Sequence, residues 1–505
     1  MIPRPRKNTN CDIIHTVCES TEGFINAIPK TQRKKYGQFF TSKETAEFMA
    51  SMFSIDCRNK HLSILDAGAG SGILSAALVA RIQSLPQITS ISLTCYETDD
   101  IILPLLEQNL RLIQEHSDIP VDFKLLNENY IISQEAEFNQ WLQADANAAK
   151  YDLIIGNPPY KKLPKQAPEA KAMERICYGA PNLYFLFAAM GIFNLKEAGE
   201  LVYIIPRSWT SGAYFKLFRQ YLCQESILTQ MHLFASRKKV FESEDVLQET
   251  MIIKLRKSKE KQPNILITSS ANNRDFADKT SFLADYGSIV SPQDNYVFLA
   301  TNAADVAILQ ALQGWRDTLP SIGLKMKTGL TVHFRNRELL QDECNVNNVP
   351  LFYAQHIKEA QVIFPVGKEG EYIETSHAAL LQENSNYLFV KRFTSKEESR
   401  RLQCAPYFAS DYPDYHAIST DNKINFICGA SKLSESVVWG LFVIFNSTIY
   451  DQYYRLLNGS TQVNSSEINA MPMPPLHLLE AMGDKMASSK DFSITQCDHI
   501  LGQYL

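Results

Sequence analysis

The chain has 505 residues, 45% of them apolar and 21% charged, and carries a net charge of −5. That length favours two or three domains over one, and the acidic balance excludes a protein that meets nucleic acid through an overall positive field, leaving local basic patches for any anionic partner. Ten cysteines without a Cys-x-x-Cys pair argue for reduced thiols and against a disulfide framework or a metal centre, while the absence of a signal core and of any apolar run near the ~20 residues that span a bilayer predicts a cytoplasmic protein with no membrane partner.

In chain order, residues 1–35 form a polar, partly basic arm with one short helix expected in it. Lys35 to Ser42 (KYGQFFTS) then suits a loop, with Thr41 or Ser42 capping a helix that carries Ala46, Met49, Ala50 and Phe53 on one face. In residues 61–80 an apolar strand meets Asp66, then Gly68, Gly70 and Gly72, then an amphipathic helix. Glycines there allow left-handed backbone and close approach of a ligand, and the helix amino terminus beyond favours an anion or carboxylate. Glu97 closes the next strand, 31 residues after Asp66, where a carboxylate in a doubly wound sheet takes ribose hydroxyls. A third strand is expected over 121–126, followed by Asn127-Glu128-Asn129-Tyr130, and a fourth over 151–156 (YDLIIG).

That fourth strand runs into Asn157-Pro158-Pro159-Tyr160. Two prolines forbid further ladder hydrogen bonds, so the chain must leave the sheet in a rigid turn presenting one amide and one aromatic ring. A buried helix over 182–199 and strands over 200–206, 227–234 and 249–257 complete a seven-stranded set, with the isolated Phe241 between the last two. The charged run 257–263 (KSKEKQP) reads as a linker, which places a boundary near 260. Beyond it, short strands alternate with polar loops, and Arg335, Arg337, Lys391, Arg392, Arg400 and Arg401 are candidates for one basic face.

The ordered set YGQFFT, DAGAGSG and Asn-Pro-Pro-Tyr resembles the gamma class of DNA amino-methyltransferases, the type II adenine-N6 enzymes of restriction–modification systems. The resemblance implies a doubly wound, Rossmann-like α/β domain with a mixed seven-stranded sheet over 36–260, after the arm of 1–35, and an α+β target-recognition domain over 261–505. It implies S-adenosyl-L-methionine as cofactor, double-stranded DNA as substrate, a cognate restriction endonuclease acting on the same site, and a monomer in a prokaryotic cytoplasm. It assigns Phe40 and Thr41 to the methionine end of the cofactor, Asp66, Gly68 and Gly70 to the cofactor loop, and Glu97 to the ribose. Asn129-Tyr130 stands where the family has Asp-Phe beside the cofactor's adenine. Asn157 and Pro158 would accept the two hydrogens of the target amine, with Tyr160 and Phe241 on the faces of the flipped base and no metal involved.

Cytosine-N4 methylation is the nearest alternative, since the same acceptors serve any conjugated exocyclic amine. A protein glutamine methyltransferase also uses Asn-Pro-Pro-Tyr but does not need the ~240 residues beyond 260. A fused amino-terminal nuclease is not expected, because about 36 residues precede the first motif, and the intact motifs count against a non-catalytic DNA-binding module.

Overall fold

A computed structural model describes residues 12–27, 41–55, 59–141, 150–234, 250–260, 262–274, 276–395, 398–457, 462–489 and 491–505. The chain divides into two compact units, one ending at Tyr296 and the other beginning at Val297. No helix among the described residues is long and apolar enough to cross a membrane.

The first unit is built on one mixed sheet. Its strands are β1 (His61–Ala67), β2 (Ser90–Tyr96), β3 (Val121–Leu126), β4 (Tyr151–Gly156), β5 (Leu195–Pro206), β6 (Ile227–Phe234), β7 (Thr250–Arg256), β8 (Asn264–Ser270) and β9 (Thr280–Asp285), in the spatial order β3-β2-β1-β4-β5-β7-β6-β8-β9. β1 to β5 are parallel, and β7 lies antiparallel between β5 and β6. Central strands covered on both faces must be apolar throughout rather than alternating, which is why β4 reads YDLIIG and buries Leu153, Ile154 and Ile155. The chain moves outward from β1 through β2 to β3 and returns to β4 on the other side of β1. That reversal opens a crevice at the carboxyl ends of β1 and β4, where ligands of such sheets bind.

Three departures from the sequence expectation have local causes. The sheet has nine strands, not seven: the charged run 257–263 is followed by β8, whose Ile265 and Ile267 are fully buried and which pairs with β6, so the first unit continues past 260 to Tyr296. The helix expected over 182–199 stops at Asn194, because Leu195 already pairs with Tyr151 at the start of β5. A bulge at Ala198, with φ of 62°, absorbs the polar KEAG stretch before β5 resumes. The helix in the amino-terminal arm, α1 (Ile13–Ala27), belongs to the core, where it buries Ile13, Ile14 and Val17.

Helix α2 (Lys43–Ser51) starts at Ser42, whose hydroxyl accepts from the Thr45 amide, and buries Ala46, Phe48, Met49 and Ala50. Its far end is locked by charge. Arg81, in α3 (Ile73–Gln83), donates to the carbonyls of Ala50 and Phe53. Beyond α2, Ser54 N–H donates to Glu200 Oε2 at 2.7 Å, and Glu200 Oε1 pairs with Lys254 Nζ at 2.9 Å. Burial lowers the Lys254 pKa from the ordinary lysine range, against the pull of Glu200.

The second unit is α+β. A four-stranded antiparallel sheet runs in the order Leu324–Thr328, Ile424–Gly429, Tyr387–Lys391, Cys404–Tyr407, beside a smaller five-stranded one. Helices Glu435–Asn446 and Leu476–Ser489 touch backbone to backbone: a Cβ at Gly483 would fall 1.7 Å from the Ser436 carbonyl, so only glycine fits there. The candidate basic face is reduced. Arg401 is fully buried with its Nε on Thr394, and Arg400 donates to the carbonyls of Phe445 and Ser447.

Candidate active site

The turn after β1 is shaped by its glycines. Gly68, Gly70 and Gly72 all have positive φ, at 71°, 55° and 79°. Gly68 and Ala69 donate to the Tyr96 carbonyl at the end of β2, so the turn is stitched to the neighbouring strand. A Cβ at Gly70 would meet nothing within 4 Å; the turn leaves open space there. Glu97 fixes its height: Oε2 accepts from Gly70 N at 2.9 Å, while Oε1 accepts from Thr98 N and Asp99 N. From behind, Asn109 on α4 (Leu103–His116) donates to Ser71 O at 2.8 Å and approaches Thr21 of α1.

Asp66, at the end of β1, is fully buried. Ser75 donates to Oδ2 at 2.7 Å, and Oδ1 has no hydrogen-bond partner among the described residues. Burial pushes its pKa up to about 7, Ser75 opposing and the Glu97 charge adding to the rise. An unfolded aspartate titrates near 4. Between about pH 4 and 7 the folded chain therefore keeps a proton that the unfolded chain has released, so this contribution to stability is complete below 4 and lost as pH rises through 7. Asp66→Asn, which cannot ionise, is expected to gain on the wild type by a few kcal/mol between pH ~4 and ~8, at about 1.4 kcal/mol per pKa unit. Urea unfolding across that range measures it, and a constant difference would show the carboxylate to be well solvated.

The Asn157-Pro158-Pro159-Tyr160 turn lies at the carboxyl end of β4, against the glycine turn. A Cβ on Gly68 would sit 3.9 Å from Pro159 Cδ and 3.5 Å from Phe187. The Asn157 side chain is gripped from both ends: its Nδ2 donates to Thr41 Oγ1 at 3.3 Å, and Tyr160 Oη donates to its Oδ1 at 2.9 Å. Tyr160 Oη also lies 3.1 Å from the Ile204 carbonyl of β5, and burial pushes its pKa far above the ordinary phenol value. Thr41 is itself buried, at the threshold of α2. Residues 116 apart in sequence are thus joined through one amide.

Asn129 and Tyr130 do not fit their expected places. Asn129 is exposed and caps the following turn, with Oδ1 accepting from Ile131 and Ile132 and Nδ2 donating to Glu169. Both polar ends are engaged locally, as asparagine favours at a helix start. Tyr130 is a core residue, packed on Tyr96 and Phe187 with its hydroxyl accepting from Asn194. Phe40 and Phe241 lie outside the described residues.

Sequence reasoning passed over Tyr203 of β5. Its ring lies where a Cβ on Gly156 would be, 2.8 Å from Cε1, and its buried hydroxyl has no hydrogen-bond partner among the described residues. Nothing in an apolar strand pattern singles it out. Ser208 was equally silent; its Oγ lies 3.0 Å from Tyr184 Oη, just past the end of β5.

A doubly wound sheet with a left-handed glycine turn, an acid at the next strand end and a rigid amide-bearing turn beside it has the layout of nucleotide-binding α/β folds. In fold, the chain aligns over 94% of its length with 59% of the DrdV chain of a DrdV–DNA complex, at 13% identity and a TM-score of 0.50. A family model described as Eco57I restriction-modification methylase matches residues 81–241. The type II methyltransferase M.PstI of Providencia stuartii is 34% identical over 497 residues, 96% of each chain, and M.BsuBI of Bacillus subtilis is 32% identical over 470 residues, 91% of each. The chain belongs to this family of type II restriction–modification methyltransferases.

Proposed function

We propose that the chain is a site-specific DNA methyltransferase that transfers a methyl group from S-adenosyl-L-methionine to N6 of an adenine extruded from duplex DNA, protecting that site from a partner restriction endonuclease. The observation that carries the reading is the Asn157 amide, held by Thr41 and Tyr160 beside the glycine turn.

The residues of the turn fit the cofactor. The open space at Gly70 admits a ligand against backbone, and the buried, unpartnered Oδ1 of Asp66 is an acceptor awaiting a donor. Asp66, Gly68, Gly70 and Glu97 would hold it, with Thr41 and Phe40 on its methionine side; Glu97 already accepts three backbone amides and retains capacity for a hydroxyl. When bound, the group supplies an electrophilic methyl on a sulfonium.

This chain's own part is to make the amine nucleophilic. The lone pair of adenine N6 is delocalised into the ring. Asn157 Oδ1 and the Pro158 carbonyl each accept one N6 hydrogen, which draws the nitrogen toward tetrahedral geometry and offsets the positive charge that develops there. Tyr160 Oη donates to Oδ1 and so orients the carbonyl of the amide. The prolines fix the acceptors in advance, so little ordering remains to be done during reaction. The rings of Tyr160 and Phe241 would stack on the base, at ~1–3 kcal/mol per base, against the few kcal/mol that extrusion costs. Single-molecule sequencing of DNA from cells expressing the chain tests this reading: modified adenines should appear in one sequence context and become scarcer with Asn157→Ala. Methylation scattered without context would remove the site-specific part of it.

A further inference from the structure

Phe334 and Phe393 are 54% and 46% exposed, the only phenylalanines so exposed among the described residues. They are far apart in sequence yet flank one turn, Asp421-Asn422-Lys423. Thr331 bridges to Asp421, and Asn422 N donates to Thr331 O. On the other side Arg392 N donates to Lys423 O, its guanidinium donates to Asn422 O at 3.0 Å, and Phe393 bridges to Gln462.

This platform is rigidly built. A Cβ on Gly329 would fall 2.1 Å from Asp421 O, so the chain crosses the turn at backbone contact. Asn425, fully buried, accepts from Thr328 and donates to Val463 O, tying the three segments from below. The one carboxylate at the turn, Asp421, faces inward to His333 at 2.8 Å and to the Lys423 amide. What faces outward is aromatic and basic: each phenylalanine has an arginine near its ring face, Arg335 at 5.7 Å and Arg392 at 5.5 Å, and Lys423 is exposed beside them.

Two exposed phenylalanines joined to one rigid turn present apolar rings to a partner. On a chain of net charge −5, a spot whose carboxylate is turned inward and whose outer groups are cationic selects an anionic partner. We propose that the Phe334–Phe393 platform is a duplex-DNA contact surface, with Arg335, Arg392 and Lys423 on phosphates and the two rings against bases, as apolar wedges and arginine–aromatic pairs act on nucleic acid. The proposal rests on DNA being the substrate, and it adds which part of the second unit touches it.

The test uses the full chain and a plasmid restriction fragment, with Kd measured by salt titration and methyl transfer to the same fragment assayed separately. Phe334→Ala with Phe393→Ala should weaken binding roughly tenfold or more. Arg335→Gln with Lys423→Gln should weaken it and lower the magnitude of the salt slope by about two. Both variants should keep the wild-type Tm and cofactor affinity, since these side chains are exposed. Wild-type affinity and slope in both variants would overturn the proposal and give the platform to another class of partner, such as a protein. Absence of wild-type binding to the fragment would overturn it too. Normal binding without methyl transfer would sink the proposed reaction alone.

Discussion

Asn157→Ala is expected to lower kcat by about 10²–10³-fold, the loss typical of removing one pre-placed electrostatic contact to a transition state. The alanine deletes the proposed acceptor for the target amine and leaves the Pro158 carbonyl in place, so transfer should slow without the turn collapsing. Glu97 holds the glycine turn through the backbone amides of 70, 98 and 99, so cofactor affinity should stay at the wild-type value. Calorimetric titration with S-adenosyl-L-methionine, run beside single-turnover methylation, separates the two. A parallel loss of cofactor affinity would move Asn157 from the chemistry to the cofactor site.

The largest effect on stability is expected from Glu200→Ala. Glu200 and Lys254 are 7% and 6% exposed, and the carboxylate also satisfies the Ser54 amide beyond the end of α2. Deleting Glu200 leaves a buried ammonium without its counter-charge, although Ser54 Oγ still accepts from it at 2.6 Å, and leaves the Ser54 amide unpaired, at about 3–5 kcal/mol. In a unit of this size that is a Tm drop on the order of 10 °C. The double change Glu200→Met with Lys254→Met removes both charges and should recover much of the loss, since a well-packed apolar pair is often neutral against a buried ion pair. Scanning calorimetry of the three variants decides it; a single-variant drop under about 2 °C would show the pair to be well hydrated. Because α2 carries Thr41 at its threshold, Glu200→Ala should also slow methylation below its melting range.

The candidate site was legible where its pattern is local. Glycines that only a left-handed turn needs, an acid at a strand end and two prolines that end a strand announce themselves within a few residues, so Asp66, Gly68, Gly70 and the Asn157 turn stand together in the structure at the ends of β1 and β4. What failed depended on which partner a polar side chain takes, which residue type alone does not show. Asn129 reads as a ligand-facing amide until Ile131, Ile132 and Glu169 are seen to use it. Arg401 reads as surface charge until Thr394 and the core around it are in place. A charged run at 257–263 mimics a linker although Ile265 and Ile267 continue the sheet beyond it. The Thr41–Asn157–Tyr160 chain of hydrogen bonds, which orients the central amide, has no periodicity to betray it.

The proposed reaction is methyl transfer from S-adenosyl-L-methionine to N6 of an adenine held at the Asn157 turn. The direct measurement is to treat unmodified plasmid DNA with the purified chain and S-adenosyl-L-methionine bearing a heavy-isotope methyl group, digest it to nucleosides, and weigh the products. Label in N6-methyldeoxyadenosine, accumulating about 10²–10³-fold more slowly with Asn157→Ala, is the predicted result. Label in N4-methyldeoxycytidine, or in no nucleoside, would contradict it.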